Sequence, residues 1–278
     1  MNLITKPLLS LCKAALFVSL FTSSAVSAFE NKSSDNQVQL THSTKQNTAL
    51  TITLFADNQT TPSILTYSAP TRLDRVVYDS WLQFNKHRPN KTPYWLGSDI
   101  VELRSPKNKT YTLSLLNTLA LDLDNPMPLR QSAKHLSAWL DQNVTHRRLW
   151  QNLDYDFIRL NIAHNPQLQG EYQLILPTTP KDVLDLGAID TPTMVQWQPR
   201  ISAAELLTQV NVIDEHNRSQ ISVIQPDGQV ESHSIAYWNQ NHKDIAPGAT
   251  LYVHYEQTLN LHRDLNQFVI QLLQNRTL

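Results

Sequence analysis

The sequence predicts an α+β protein of two tandem β-grasp domains, with a helical hairpin inserted in the first and an amphipathic helix at the C-terminus. Three observations carry this reading. Short runs of alternating apolar and polar residues lead through turns into segments of helical period. The same succession of elements comes twice, over 49–180 and again over 181–257. Two helical stripes at about 107–143 interrupt the first succession, and a third closes the chain over 258–278.

In the first unit Leu50, Ile52 and Leu54 alternate with Thr51 and Thr53, and Ser63–Tyr67 returns across the turn at Ala56–Gln59, which makes a hairpin. Thr71–Phe84 reads as a helix, because Leu73, Val76, Val77, Trp81 and Phe84 recur at three and four residues. Tyr94 and Trp95 precede a short strand at Ile100–Leu103. The inserted hairpin places Leu113, Leu116, Leu119 and Ala120 on one stripe, and Leu136, Trp139 and Leu140 on the other.

Arg148–Leu176 is the stretch around which the rest is arranged: a helical excursion ends, and a strand begins. Leu153, Phe157, Leu160 and Ile162 supply its apolar surface, while Arg148, Asp154, Asp156 and Arg159 bring two cations and two carboxylates together. On a strand, positions 154 and 156 share a face.

In the second unit, Val183–Ile189 and Met194–Gln198 lead into a helix at Ser202-Ala-Ala-Glu205, a capping box with Ile201 and Leu206 as its hydrophobic staple. Ile221–Ile224, the Asp227-Gly228 turn and the strand from Val230 form a second hairpin, and Leu251–Tyr255 is the last strand. A hairpin, a helix crossing the sheet and further strands make the β-grasp order. Leu261, Leu265, Phe268, Val269, Leu272 and Leu273 form the terminal stripe, which fits packing on its own domain or docking on a partner.

Composition narrows the function. Residues 1–28 read as a secretory signal peptide: Lys6 and Lys13 are basic, Ala14–Phe21 is a short apolar core, and Val26-Ser27-Ala28 suits cleavage. Residues 29–48 are a polar leader. Cys12, followed by Lys13, does not suit a lipid anchor, and no transmembrane segment is expected after cleavage. The exported chain would then lack cysteine, which excludes thiol catalysis and Cys-ligated zinc. A net charge of −1 argues against nucleic acid. The five glycines are too scattered for a phosphate loop, the ten histidines lack metal-ligand spacing, and G-x-S-x-G and H-E-x-x-H are absent. Neither a metal nor any other cofactor is expected.

Several short motifs resemble the capsule-biosynthesis GfcC/YjbG family. They are R-L-x-x-x-L-D-x-D-F-x-R at 148–159, G-E-Y at 170–172, L-G-A-I at 186–189, I-Q-P-D-G at 224–228, W-N at 238–239 with His242, P-G at 247–248 and D-L-N at 264–266. The resemblance covers nearly all of the exported chain and is strongest from 148 onward. It implies a periplasmic protein with two β-grasp domains similar to modules of outer-membrane polysaccharide export proteins, and no established enzymatic activity. It also implies a functional arginine in a cleft after the hairpin, which falls on Arg148, or on Arg147 if the neighbouring gap is placed otherwise.

Three readings follow. The first is a non-enzymatic accessory factor for capsule or exopolysaccharide assembly or export. It would bind glycan or an export partner in a cleft holding Arg148, Arg147, Asp154, Asp156 and Arg159, with Trp95, Trp150 and Tyr155 as candidate sugar-stacking rings. Arg148 would offer a planar fork to a carboxylate, or else pair internally with Asp154 or Asp156. The second is a structural adaptor that docks on an outer-membrane exporter through its terminal helix. The third is a glycan-active enzyme using Asp154 and Asp156 as acid and base.

Overall fold

The computed structural model describes residues 49–56, 61–149, 152–213, 219–236, 238, 242–255 and 263–278. The expected signal peptide, the polar leader, Trp150 and Leu261 lie outside them.

Two five-stranded sheets repeat one topology. The first segment runs β1 (Leu50–Ala56), β2 (Ser63–Tyr67), β3 (Thr71–Arg72), α1 (Leu73–His87), β4 (Asp99–Glu102), α2 (Lys109–Leu121), α3 (Met127–Asn143), β5 (Arg147–Arg148), α4 (Tyr155–Leu160), β6 (Gln167–Leu168) and β7 (Gly170–Leu176). The second runs β8 (Asp182–Gly187), β9 (Thr193–Gln196), α5 (Ala203–Leu207), β10 (Gln220–Ile224), β11 (Val230–Ser234), β12 (Thr250–Val253) and α6 (Leu265–Leu273). The sheet orders are β2-β1-β7-β4-β5 and β9-β8-β12-β10-β11. In each, the last strand enters the middle parallel to the first, with Leu50 opposite Gly170 and Thr250 opposite Leu184. All other pairings within these two sheets are antiparallel. The succession that recurs in the sequence is thus a repeat of topology, with β7 and β12 in equivalent places.

Local chemistry explains the elements. Alternate residues of β1, namely Leu50, Ile52, Leu54 and Ala56, are buried, and the intervening ones are half-buried. The helix expected from Thr71 begins at Leu73, because Thr71 and Arg72 pair with β6. Its start is held from a distance: the Leu73 amide donates to the Pro166 carbonyl and the Asp74 amide to Asn165 Oδ1. The Ser202 capping box is formed, with the Glu205 amide donating to Ser202 Oγ at 3.2 Å and the Ser202 amide to Glu205 Oε2 at 2.8 Å. The Ser202 amide and the Ser202 hydroxyl, which also donates to Glu205 Oε2 at 2.8 Å, hold the Glu205 carboxyl below its ordinary range. Gly187 has φ +102°, and a Cβ there would collide with the Val253 carbonyl.

The inserted hairpin serves the second sheet. Leu116, Leu119, Leu129, Ala133, Leu136 and Leu140 share one core with Val183, Leu186, Leu251 and Val253. Ser132 Oγ donates to the Gly187 carbonyl at 2.8 Å, and His135 Nδ1 lies 2.7 Å from the Asp190 carbonyl. The stripe of α6 lies in that same core: Leu265, Val269, Leu272 and Leu273 are buried, and Phe268 meets Tyr111 of α2 edge to face. The apolar surface that docking through this helix would need therefore lies inside the fold. Among the described residues, no helix is long and apolar enough to cross a membrane.

Tyr155–Leu160 is a helix, since the Asp154 carboxylate accepts from the Phe157 amide at 2.9 Å and caps it. Positions 154 and 156 consequently do not lie on a strand. Leu153 and Ile158 are buried, whereas Leu160 and Ile162, expected in the apolar surface, are 75% and 76% exposed.

Candidate functional site

The seam between the two sheets holds a buried ionic cluster. Asp99 opens β4, 3% exposed, and Arg148 ends the edge strand β5, 6% exposed. The guanidinium of Arg148 bonds the Asp99 carboxylate and also donates to the Pro226 carbonyl of the second segment at 2.7 Å. Its backbone amide donates to Asn275 Oδ1 at 3.1 Å. Arg276 Nη1 donates to the Gly248 carbonyl at 2.8 Å and to Thr250 Oγ1 at 3.2 Å.

Burial raises Asp99 to about 7, against the pull of Arg148 and Arg276. It lowers Arg276 to about 10, against the pull of Asp99. The second carboxylate oxygen of Asp99 is buried without a hydrogen-bond partner among the described residues. Asp99, and not Asp154 or Asp156, is the carboxylate that meets Arg148. Much of this guanidinium's hydrogen-bonding capacity is therefore engaged inside the protein, tying the first sheet to the β10–β11 turn.

Above the cluster lies a cleft of about 390 Å³, lined by Trp95, Arg148, Asn152, Asp154, Asp227 and Gln229. Trp95 is set by a single 3-10 turn, Trp95–Gly97, in which Ser98 Oγ donates to the Tyr94 carbonyl at 3.0 Å. The Tyr94 hydroxyl reaches the Pro247 carbonyl at 3.1 Å, a second tie across the seam. The Asp227 carboxylate accepts from the Gln229 amide at 3.0 Å. Arg147 does not line this cleft. It pairs with Glu102 at 2.6 Å and borders another hollow of about 460 Å³ with Leu73, Ile100, Leu168 and Arg148, which lines both.

Trp95 also walls a third hollow of about 380 Å³ with Val77, Tyr78, Trp81 and Tyr155. Tyr78 and Trp81 project from α1, each 37% exposed. Their rings lie 6.1 Å apart, and Tyr78 and Tyr155 lie 5.7 Å apart. The Arg159 guanidinium sits 5.5 Å from the Tyr155 ring while pairing with Asp156 at 3.2 Å on the exposed side of α4.

Of the residues singled out in the sequence, then, Arg148, Asp154 and Trp95 share the cleft, and Trp95 and Tyr155 share the aromatic hollow. Arg147, Asp156 and Arg159 line neither. Asp154 is engaged as a helix cap and Asp156 with Arg159, so the two do not make a facing acid–base pair. Asp99, Asp227, Tyr78 and Trp81 were not picked out as site residues. The one available signal was Asp99 itself, a carboxylate opening a strand just ahead of the apolar pair Ile100 and Val101.

These features define a protein of two repeated sheet-and-helix modules, with a recess at the seam floored by a buried arginine. The chain belongs to the capsule biosynthesis GfcC family: the description "Capsule biosynthesis GfcC, N-terminal" matches residues 48–178, and "Capsule biosynthesis GfcC C-terminal" matches 191–277. It is also similar to the uncharacterized protein YjbG of Escherichia coli (strain K12), 34% identical over 102 residues, which is 37% of this chain and 42% of that relative. A capsule-related role follows from the family.

Proposed function

We propose that the protein is a periplasmic, non-enzymatic accessory factor that holds surface polysaccharide during its assembly or export, in the cleft at the seam. The observation that carries this reading is the cleft's lining: one broad indole face, Trp95, beside the amides of Asn152 and Gln229 and the carboxylates of Asp154 and Asp227. Sugars present hydroxyls to such donors and acceptors and an apolar C–H face to such a ring. The buried Asp99–Arg148 pair supports the floor, and the family membership supplies the capsule context. A signal-like N-terminus supports export to the periplasm.

The test is titration of the mature chain with surface polysaccharide purified from the producing bacterium, followed by calorimetry and by assay of reducing ends. Saturable binding that Trp95→Ala removes at unchanged melting temperature is expected. Absence of binding would contradict the glycan-holding part, and release of reducing ends lost in Asp227→Asn would contradict the non-enzymatic part.

A further inference from the structure

We infer that the seam cleft and the aromatic hollow are two subsites of one groove, and that this groove takes a neutral stretch of polysaccharide. One sugar ring would stack on the wall of Tyr78, Trp81 and Tyr155, and its neighbour would hydrogen-bond beyond Trp95. This rests on the glycan-holding reading above and names the chemistry of what is held.

Trp95 belongs to the lining of both hollows, so the two are adjacent across a single indole. Their chemistries differ in a way that a chain of sugars matches. The aromatic side consists of Val77 and four rings and carries no charged group in its wall. Tyr78 is tilted by 39° to Trp81 and by 38° to Tyr155, so these rings do not stack face to face on one another. The cleft side is dense in hydrogen-bonding groups. Asp154 uses one carboxylate oxygen for the Phe157 amide and Asp227 uses one for the Gln229 amide. Asn152, also in the lining, accepts from the Asp154 amide through its oxygen and keeps its side-chain NH2 as a donor. A ligand that fills both hollows must offer an apolar face at one end and closely spaced hydroxyls at the other, which adjoining pyranose rings do.

Charge selects the sugar. Arg148 at the cleft floor is 6% exposed, with its guanidinium held by Asp99 and the Pro226 carbonyl, and Arg159 is paired with Asp156 outside the hollow. The remaining charged groups of the lining are Asp154 and Asp227, both carboxylates. An acidic sugar placed between them would meet like charge, whereas neutral hydroxyls would donate to both. The fork expected to grip uronic acids is thus not presented to a ligand in that way.

The test compares the native polysaccharide with the same polymer after its carboxyl groups are chemically reduced. Binding to the full mature chain is followed by tryptophan fluorescence and calorimetry at low and high salt. The reduced polymer is expected to bind at least as tightly as the native one, with little dependence on salt. Trp81→Ala is expected to weaken binding about tenfold, and Trp81→Phe to retain most of it, at unchanged melting temperature. Loss of binding on carboxyl reduction, or unaltered binding by Trp81→Ala, would overturn the inference while leaving the glycan-holding reading intact. If neither polymer binds, that reading falls as well.

Discussion

The first sheet is covered by helices from its own segment, α1 and α4, whereas the second is covered by α5, by α6 and by a hairpin that leaves the chain between β4 and β5. The strand order is the same in both five-stranded sheets, and what covers them differs. A short α5 of five residues cannot bury the second sheet, and the α2–α3 hairpin supplies the missing apolar area. The 15-residue α1 covers the first sheet with one face and leaves Tyr78 and Trp81 on another. Borrowed cover thus makes the second half a closed core, while the first keeps an open aromatic surface beside the seam.

Each sheet also carries one buried aspartate raised to about 7 by desolvation. Asp99 lies against Arg148, while Asp185 has no hydrogen-bond partner for either oxygen among the described residues. Arg148→Met should break this contrast most severely. It leaves Asp99 facing a lost cation and removes the tie to the Pro226 carbonyl, so stability should fall by about 3–5 kcal/mol in urea at pH 8. The Asp99→Asn/Arg148→Met double variant should recover most of that loss; no recovery would mean the two side chains act independently.

Leu136→Ala, in the hairpin, should cost about 2–5 kcal/mol. Hydrogen exchange should then rise in β8 and β12 before β1 and β7. The reverse order would show that the hairpin supports the first sheet instead.

Asp185 gives a pH signature with a definite sign. Its folded pKa of about 7 stands above the ordinary 3.8, so the folded state binds its proton more tightly. The stability it contributes is complete below the unfolded pKa, is lost as pH rises toward 7, and is flat above. The full linkage is about 4 kcal/mol. Asp185→Asn should regain a fraction of this at pH 8, because the amide too lacks partners, and should gain little at pH 4. Asp99 adds a slope of the same sign that the variant retains. A melting temperature that does not rise at pH 8 would contradict the assignment. The smallest effect belongs to Ser202→Ala, which removes the cap of α5 and should cost about 1 kcal/mol in thermal melts.

Period and turn chemistry made most of the elements readable: alternation for β1, the Asp227-Gly228 turn for β10 and β11, and the i, i+3, i+4 stripes for α1 to α3 and α6. A stripe says that a helix has an apolar face, but not which sheet receives it, so the hairpin's service to the second half was not legible. The α1 stripe likewise grouped Trp81 with Val77 and Phe84, although the sheet covers a narrower arc of the helix and leaves that indole half open. In Asp154-Tyr-Asp-Phe157 the pattern did not show where a new helix starts, because a single hydrogen bond from the Phe157 amide to the Asp154 carboxylate decides it. The sequence left the cleft arginine open between Arg148 and Arg147, because the partner Asp99 lies far off in sequence and meets Arg148 only through the pairing of β4 with β5.

The claim that the seam is the working surface is tested most directly by hydrogen–deuterium exchange of the mature chain with and without purified surface polysaccharide. Protection confined to the Trp95–Gly97 turn, residues 152–155, the β10–β11 turn and the outer face of α1 is the expected result. Protection restricted to the α2–α3 tip or to α6, with the seam unchanged, would contradict it.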